Sequence, residues 1–109
     1  MLLSRNLALL VTKERAIAFD RIANRFIESR LPIHDEFVVA EADKYLAVVI
    51  TSGRALGLAL GTKTFIDVRL RTGETFESLK SNAGVATIRT SERLLKFQAA
   101  DSSWHELSF

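Results

Sequence analysis

Threonine and arginine stand three positions apart at Thr12/Arg15, Thr51/Arg54 and Thr90/Arg93, and each pair follows the last by 39 residues. A guanidinium is a fork of donors that suits a carboxylate or another anion, and a threonine oxygen can accept from the amides of a tight turn. Two chemistries follow. In the first, each Thr bonds the turn amides and each Arg pairs with the acid that recurs at Glu28, Asp67 and Glu106. In the second, Arg15, Arg54 and Arg93 form an arc of cations that attracts an anionic ligand or an acidic partner. A residue required in every unit serves the unit more readily than a single ligand, which favours the first.

His34-Asp35-Glu36 is the only other cluster with acid-base or metal-binding residue types. Consecutive side chains point in different directions, and one period later stand Gly73-Glu74-Thr75. The segment therefore reads as a solvated loop, with His34, Asp35 and Glu36 kept beside the three arginines as candidate ligand-binding residues. Gly57-Leu58-Ala59-Leu60-Gly61-Thr62-Lys63-Thr64 is one residue short of a phosphate loop and falls on a strand and its turn, so it is rejected. No Ser-His-Asp set or carboxylate pair can be placed, and the absence of cysteine excludes thiolate chemistry and Cys-ligated zinc. The expectation is no catalytic residue, no metal, no cofactor and no enzymatic activity.

The remaining composition is that of an ordinary globular chain, 48% hydrophobic and 26% charged. Fifteen basic residues against 13 acidic leave a formal charge of +2 with the signs interspersed, so no nucleic-acid stripe is read. Arg5 and Asn6 split the apolar start of the chain, which argues against a signal peptide. No stretch approaches the ~18 consecutive apolar residues of a membrane helix. A cytoplasmic protein without membrane contact is expected.

The elements that carry these residues repeat. Residues 6–44 align without gaps on 45–83, and 45–70 on 84–109. Leu7, Ala8, Thr12, Arg15, Ala16, Phe26, Ile27, Arg30, Leu31 and Phe37 recur identically 39 positions later, where ordinary composition gives roughly two matches. The single domain, residues 1–109, is thus three repeats, 6–44, 45–83 and 84–109, the last incomplete. Each repeat reads as four short strands, because runs rich in β-branched and aromatic residues are separated by turn-formers. The runs are 7–12, 16–20, 25–31 and 37–42 with their counterparts. The fourth occurs twice, and Met1-Leu2-Leu3 match the end of another.

Leu7-Ala8-Leu9-Leu10-Val11 and Leu46-Ala47-Val48-Val49-Ile50 hardly alternate, which predicts strands covered on both faces by other sheets. A tight hairpin, then a polar turn such as Asp20 to Arg25, then an aromatic at Phe26, Phe65 or Trp104, resembles the blades of quinoprotein-type and kelch-like β-propellers. The resemblance covers nearly the whole chain, without a Trp-Asp or Gly-Gly signature. It implies an all-β fold of three four-stranded antiparallel blades; the competing architecture is a β-trefoil. Antiparallel strands alternate in direction, so in such a blade the loop joining the first and second strands, which is the Thr-Arg turn, and the loop joining the third and fourth leave from one face, bringing the turns together with Pro32 to Glu36 and Arg71 to Thr75. Phe26, Phe65 and Trp104 are expected in equivalent core positions.

A propeller needs about 4 to 8 blades, so three would leave two broad apolar sheet faces exposed. A homodimer closing a six-bladed ring is expected. The leading functional expectation is a non-catalytic scaffold for a protein partner; the alternative is a carbohydrate- or anion-binding module with repeated sites.

Overall fold

A computed structural model describes all 109 residues. The first sheet holds β1 (Leu2–Leu3), β2 (Leu7–Val11), β3 (Arg15–Asp20) and β4 (Arg25–Arg30). The second holds β5 (Phe37–Ala42), β6 (Leu46–Thr51), β7 (Arg54–Ala59) and β8 (Ile66–Arg69), and the third β9 (Phe76–Asn82), β10 (Val85–Thr90), β11 (Arg93–Gln98) and β12 (Ser103–Ser108). Every pairing is antiparallel between chain neighbours, and three separate sheets stacked face to face exclude the trefoil.

The sheets are out of phase with the 39-residue periods. The run at 37–42 pairs with Leu46–Thr51 of the next period, from Phe37 opposite Thr51 to Ala42 opposite Ala47. Asp43-Lys44-Tyr45 is a hairpin-length connection, whereas Leu31 to Glu36 must carry the chain from one sheet to the next. A period that stops after its third run therefore still completes a sheet. Between β9 and β10 the two-residue loop Ala83-Gly84 has φ of 52° and 83°, the left-handed pair that matches strand twist in a tight hairpin.

Two cores fill the spaces between the sheets. Leu7, Leu9, Ala16, Ala18 and Ile27 of the first sheet meet Ala47, Val49, Leu56 and Leu58 of the second. The other face of the second sheet, with Leu46, Val48, Ile50, Ala55 and Ala59, meets Ala86, Ile88, Leu95 and Phe97. All six residues of β6 are buried, as its uninterrupted apolar run predicts. The same expectation fails for β2, where Leu7 and Leu9 are buried and Leu10 is exposed, because the first sheet has a neighbour on one side only.

Close approach of the second and third sheets depends on Gly57. A β-carbon there would stand 2.7 Å from the Phe97 ring, so the aromatic lies flat against bare backbone. At the opposite ends of the strands from the Thr-Arg turns, Asp20 accepts from the Ile22 and Ala23 amides at 2.9 Å and, with its other oxygen, from Gly61 N of the second sheet at 2.9 Å. Asp43 repeats this, accepting from Tyr45 N at 2.7 Å and from Gly84 N at 3.3 Å. Each carboxylate shapes a turn and ties it to the next sheet.

The two outward faces differ. On the first sheet Ala8, Phe19 and Phe26 stand in one cross-strand row and Leu10, Ile17 and Glu28 in the next. Leu10 and Phe26 are exposed there, Phe26 by 70%. On the third sheet the outward face carries the alternate strand positions, with exposed Thr87, Arg89, Lys96, His105 and Leu107 around half-buried Leu94. The expected pair of broad apolar faces is therefore present on one side, and the other side is mixed and basic.

Candidate functional site

The three Thr-Arg turns lie at one end of the stack, and each Thr oxygen serves its own turn. Thr12 Oγ1 accepts from the Glu14 and Arg15 amides at 3.3 and 3.2 Å, Thr51 Oγ1 from Gly53 and Arg54 at 3.4 and 3.2 Å, and Thr90 Oγ1 from Glu92 and Arg93 at 3.2 and 3.1 Å. Each Arg also reaches the acid of its own sheet. Arg15 meets Glu28 at 3.4 Å, Arg54 meets Asp67 at 3.2 Å and Arg93 meets Glu106 at 2.7 Å.

A second acid, from the loop entering the sheet, completes two of the three clusters. Asp35 Oδ2 accepts from Arg54 Nε and from the Thr51 hydroxyl, both at 2.9 Å. Gly53 makes room, since a β-carbon there would fall 2.7 Å from Asp35 Oδ1. In the third sheet Glu74 takes the same place. Its oxygens accept from Arg93 Nε at 2.9 Å and Nη2 at 3.0 Å, from the Arg71 amide at 2.8 Å and from the Thr90 hydroxyl. Arg93 Nη2 also donates to the Arg69 carbonyl at 2.8 Å. This binds the turn of the third sheet to the last strand of the second.

The electrostatics follow from that geometry. Burial pushes the Glu74 carboxyl up, but bonds from Arg93, Thr90 and the Arg71 amide, with the Arg93 charge, outweigh it and hold the pKa at about 2. Hydrogen bonding to Glu74 raises Arg93 against its own burial. Its bond from Arg93 lowers Glu106.

The candidate residues are thus dispersed among different roles. Arg93 is buried, and the Arg54 side chain is 16% exposed and already paired twice, so neither belongs to an open arc of cations. Arg15 is 47% exposed at its side chain, with one long contact. Asp35 is drawn into the Arg54 cluster, while His34 and Glu36 face solvent; no group of three His, Asp or Glu side chains converges anywhere in the chain. Glu74 was missed by sequence reasoning, although its signal was present: it stands 39 residues after Asp35, a carboxylate in the same place.

Phe26, Phe65 and Trp104 hold equivalent repeat positions, Phe65 just before β8, but not equivalent burial. Phe65 and Trp104 are half-buried, with Trp104 against Phe97 at 5.1 Å and donating its Nε1–H to the Ile66 carbonyl at 2.8 Å. Phe26 stacks on Phe19 at 4.8 Å yet stays exposed, because no sheet covers that side. The core position expected for Phe26 is corrected on that ground.

No family model matches the chain, and no curated protein matches it in sequence. Among solved structures, the N-terminal domain of Nup159, a β-propeller, matches with a TM-score of 0.53 at 13% identity over 95% of this chain. The blades here are propeller-like. A Saccharomyces cerevisiae assembly of a Dbp5 variant bound to Nup159, a Gle1 variant, IP6 and ADP matches with a TM-score of 0.54 at 15% identity, again over 95% of this chain. The chain spans 31% of the length of either match, and identities this low establish the fold alone.

Proposed function

We propose that the chain is a non-catalytic binding and assembly scaffold whose first-sheet outer face engages a protein partner. The observation that carries this is the exposure of Leu10 and Phe26 on a face whose counterparts in the second and third sheets, Val49, Ile88 and Trp104 among them, are wholly or partly covered by a neighbouring sheet. An apolar face of this kind, rimmed by Arg15, Glu28 and Arg30, has the composition of a protein-binding surface. That one structural neighbour is an assembly with protein partners is consistent with a scaffold. The alternative of repeated carbohydrate or anion sites has less support, since the repeated arginines Arg54 and Arg93 already hold carboxylates.

The same face is covered in a second reading, a homodimer that closes a ring of six sheets. Leu107 and Phe109, 65% and 66% exposed at the third sheet, favour it; Arg89 and Lys96, which would lie in the contact, weigh against it. Retention of a partner by the wild-type chain and by Phe26→Asp, compared at equal folded concentration, tests the scaffold. Loss on substitution supports it, and equal retention refutes it. Light scattering separates the second reading, because a ring of two copies has twice the 12.2 kDa of the chain.

A further inference from the structure

The signs of charge are interspersed along the chain, but the fold sorts them. Successive hairpin turns leave opposite ends of an antiparallel sheet, so alternate turns collect at one end of the stack. At the end that carries the Thr-Arg turns, Arg15, Arg54, Arg71 and Arg93 are each paired with a carboxylate. At the other end stand Arg5, Arg21, Arg25, Lys44 and Lys63, and none of them forms an ion pair. All but Arg25 are exposed. Arg21 Nη1 donates to the Arg5 carbonyl at 3.1 Å and Arg25 Nη2 to the Gly61 carbonyl at 2.9 Å, so both remain uncompensated cations. The acids at this end are already engaged. Asp20 and Asp43 accept from amides of their own turns and of the next sheet, and Asp101 accepts from the Ser103 hydroxyl at 2.6 Å beside His105.

A cavity of about 510 Å³ opens at the same end, lined by Tyr45 and Leu60 of the second sheet and by Gly84, Ala99 and Ala100 of the third, among others. Its cause is a change of residue size within the repeat. Tyr45 and Leu60 recur 39 positions later as Gly84 and Ala99, and the turns they occupy are built alike: Leu60 N donates to the Tyr45 carbonyl at 2.8 Å and Ala99 N to the Gly84 carbonyl at 2.9 Å. The third sheet thus lacks the bulk that the second presents. Lys44 stands at the edge of this cavity, with Nζ 5.2 Å from the centre of the Tyr45 ring.

We propose that this end of the stack docks an acidic segment of a partner polypeptide that carries one large apolar residue. The apolar side chain enters the cavity, and flanking Asp or Glu carboxylates meet Lys44 and Lys63, with Arg25 and Arg21 extending the basic track toward the first sheet. A nucleic acid is less well served. Tyr45, the aromatic at the cavity, carries Lys44 on its face and packs against Gly84, which leaves no platform for a base. The surface is made by turns rather than by an outer sheet face, so the inference goes beyond the first-sheet contact and does not depend on it.

A synthetic peptide of Asp and Glu with one central leucine, titrated into the isotopically labelled chain and followed by NMR, tests this. Saturable shifts at Lys44, Tyr45, Lys63, Gly84 and Ala99 are expected. Lys44→Glu combined with Lys63→Glu, or glycine in place of the peptide's leucine, should each weaken binding about tenfold. Arg89→Ala on the third-sheet outer face and Phe26→Asp on the first should leave it unchanged. The peptide substitution cannot unfold the protein, so it decides even where the lysine variant is unstable. No saturation into the millimolar range, affinity indifferent to either change, or shifts centred on Arg54 and Arg71 at the opposite end would overturn the proposal. An oligothymidylate of equal charge that binds the same residues more tightly would overturn it in favour of a nucleic acid. Failure of the peptide with partner retention still sensitive to Phe26→Asp would remove this surface and leave the scaffold standing.

Discussion

Glu74→Gln is the substitution whose consequences can be worked furthest. The Glu74 side chain is fully buried and Arg93 is nearly so, and four donors converge on the carboxylate. A pKa held at about 2 instead of 4.5 corresponds to about 3 kcal/mol of folding free energy carried by the ionised form. The folded-state value is depressed, so this stability is fully present above about pH 4.5 and is lost as pH falls toward 2. Glutamine keeps the shape but turns an amide group toward Arg93 and leaves that cation with Glu106 alone, which is the costly way to break a buried pair. At pH 7 the variant should lose about 3 kcal/mol, seen as a fall in urea midpoint of roughly 1 to 3 M. Its stability relative to wild type should recover as both are taken from pH 5 to pH 2. A loss under about 1 kcal/mol at pH 7, or a wild-type-minus-variant difference that does not shrink in acid, would refute the reasoning.

Two further substitutions probe the stack. Phe26→Ala should cost under about 1 kcal/mol in denaturant unfolding, because the ring is mostly in water, whereas Phe97→Ala should cost about 3 to 5 kcal/mol; equal losses would mean that the first sheet is covered in the free chain. Gly57→Ala should destabilise by about 1 to 3 kcal/mol, since the new methyl meets the Phe97 ring, and a neutral result would show that the two sheets do not pack this closely.

Much of this architecture was legible because repetition is a strong sequence signal. Ten identities at a spacing of 39 placed the strands, and the three Thr-Arg turns and their acids Glu28, Asp67 and Glu106 met as that spacing implies. Sheet membership was harder to read. A run such as Phe37 to Ala42 is able to pair with the strand before it or the one after, and the shortness of Asp43-Lys44-Tyr45 decides between them. The equivalence of Asp35 and Glu74 was hidden by the change from His34-Asp35-Glu36 to Gly73-Glu74-Thr75, which keeps a carboxylate at one position and changes both of its neighbours. The exposure of Phe26 was not legible at all from its own repeat. Burial at that position is conferred by the neighbouring sheet, and the identical residue Phe65 is half-buried only because the first sheet lies over it.

The claim that the second sheet is packed between the first and the third can be tested by amide hydrogen exchange on the free 109-residue chain. Protection should be greatest along β6, where every residue is buried. The strands β4 and β8, each paired on one side only, should exchange faster. Protection along β6 no greater than along β4 and β8 would contradict the account, because the second sheet would then lack a neighbour on one of its faces.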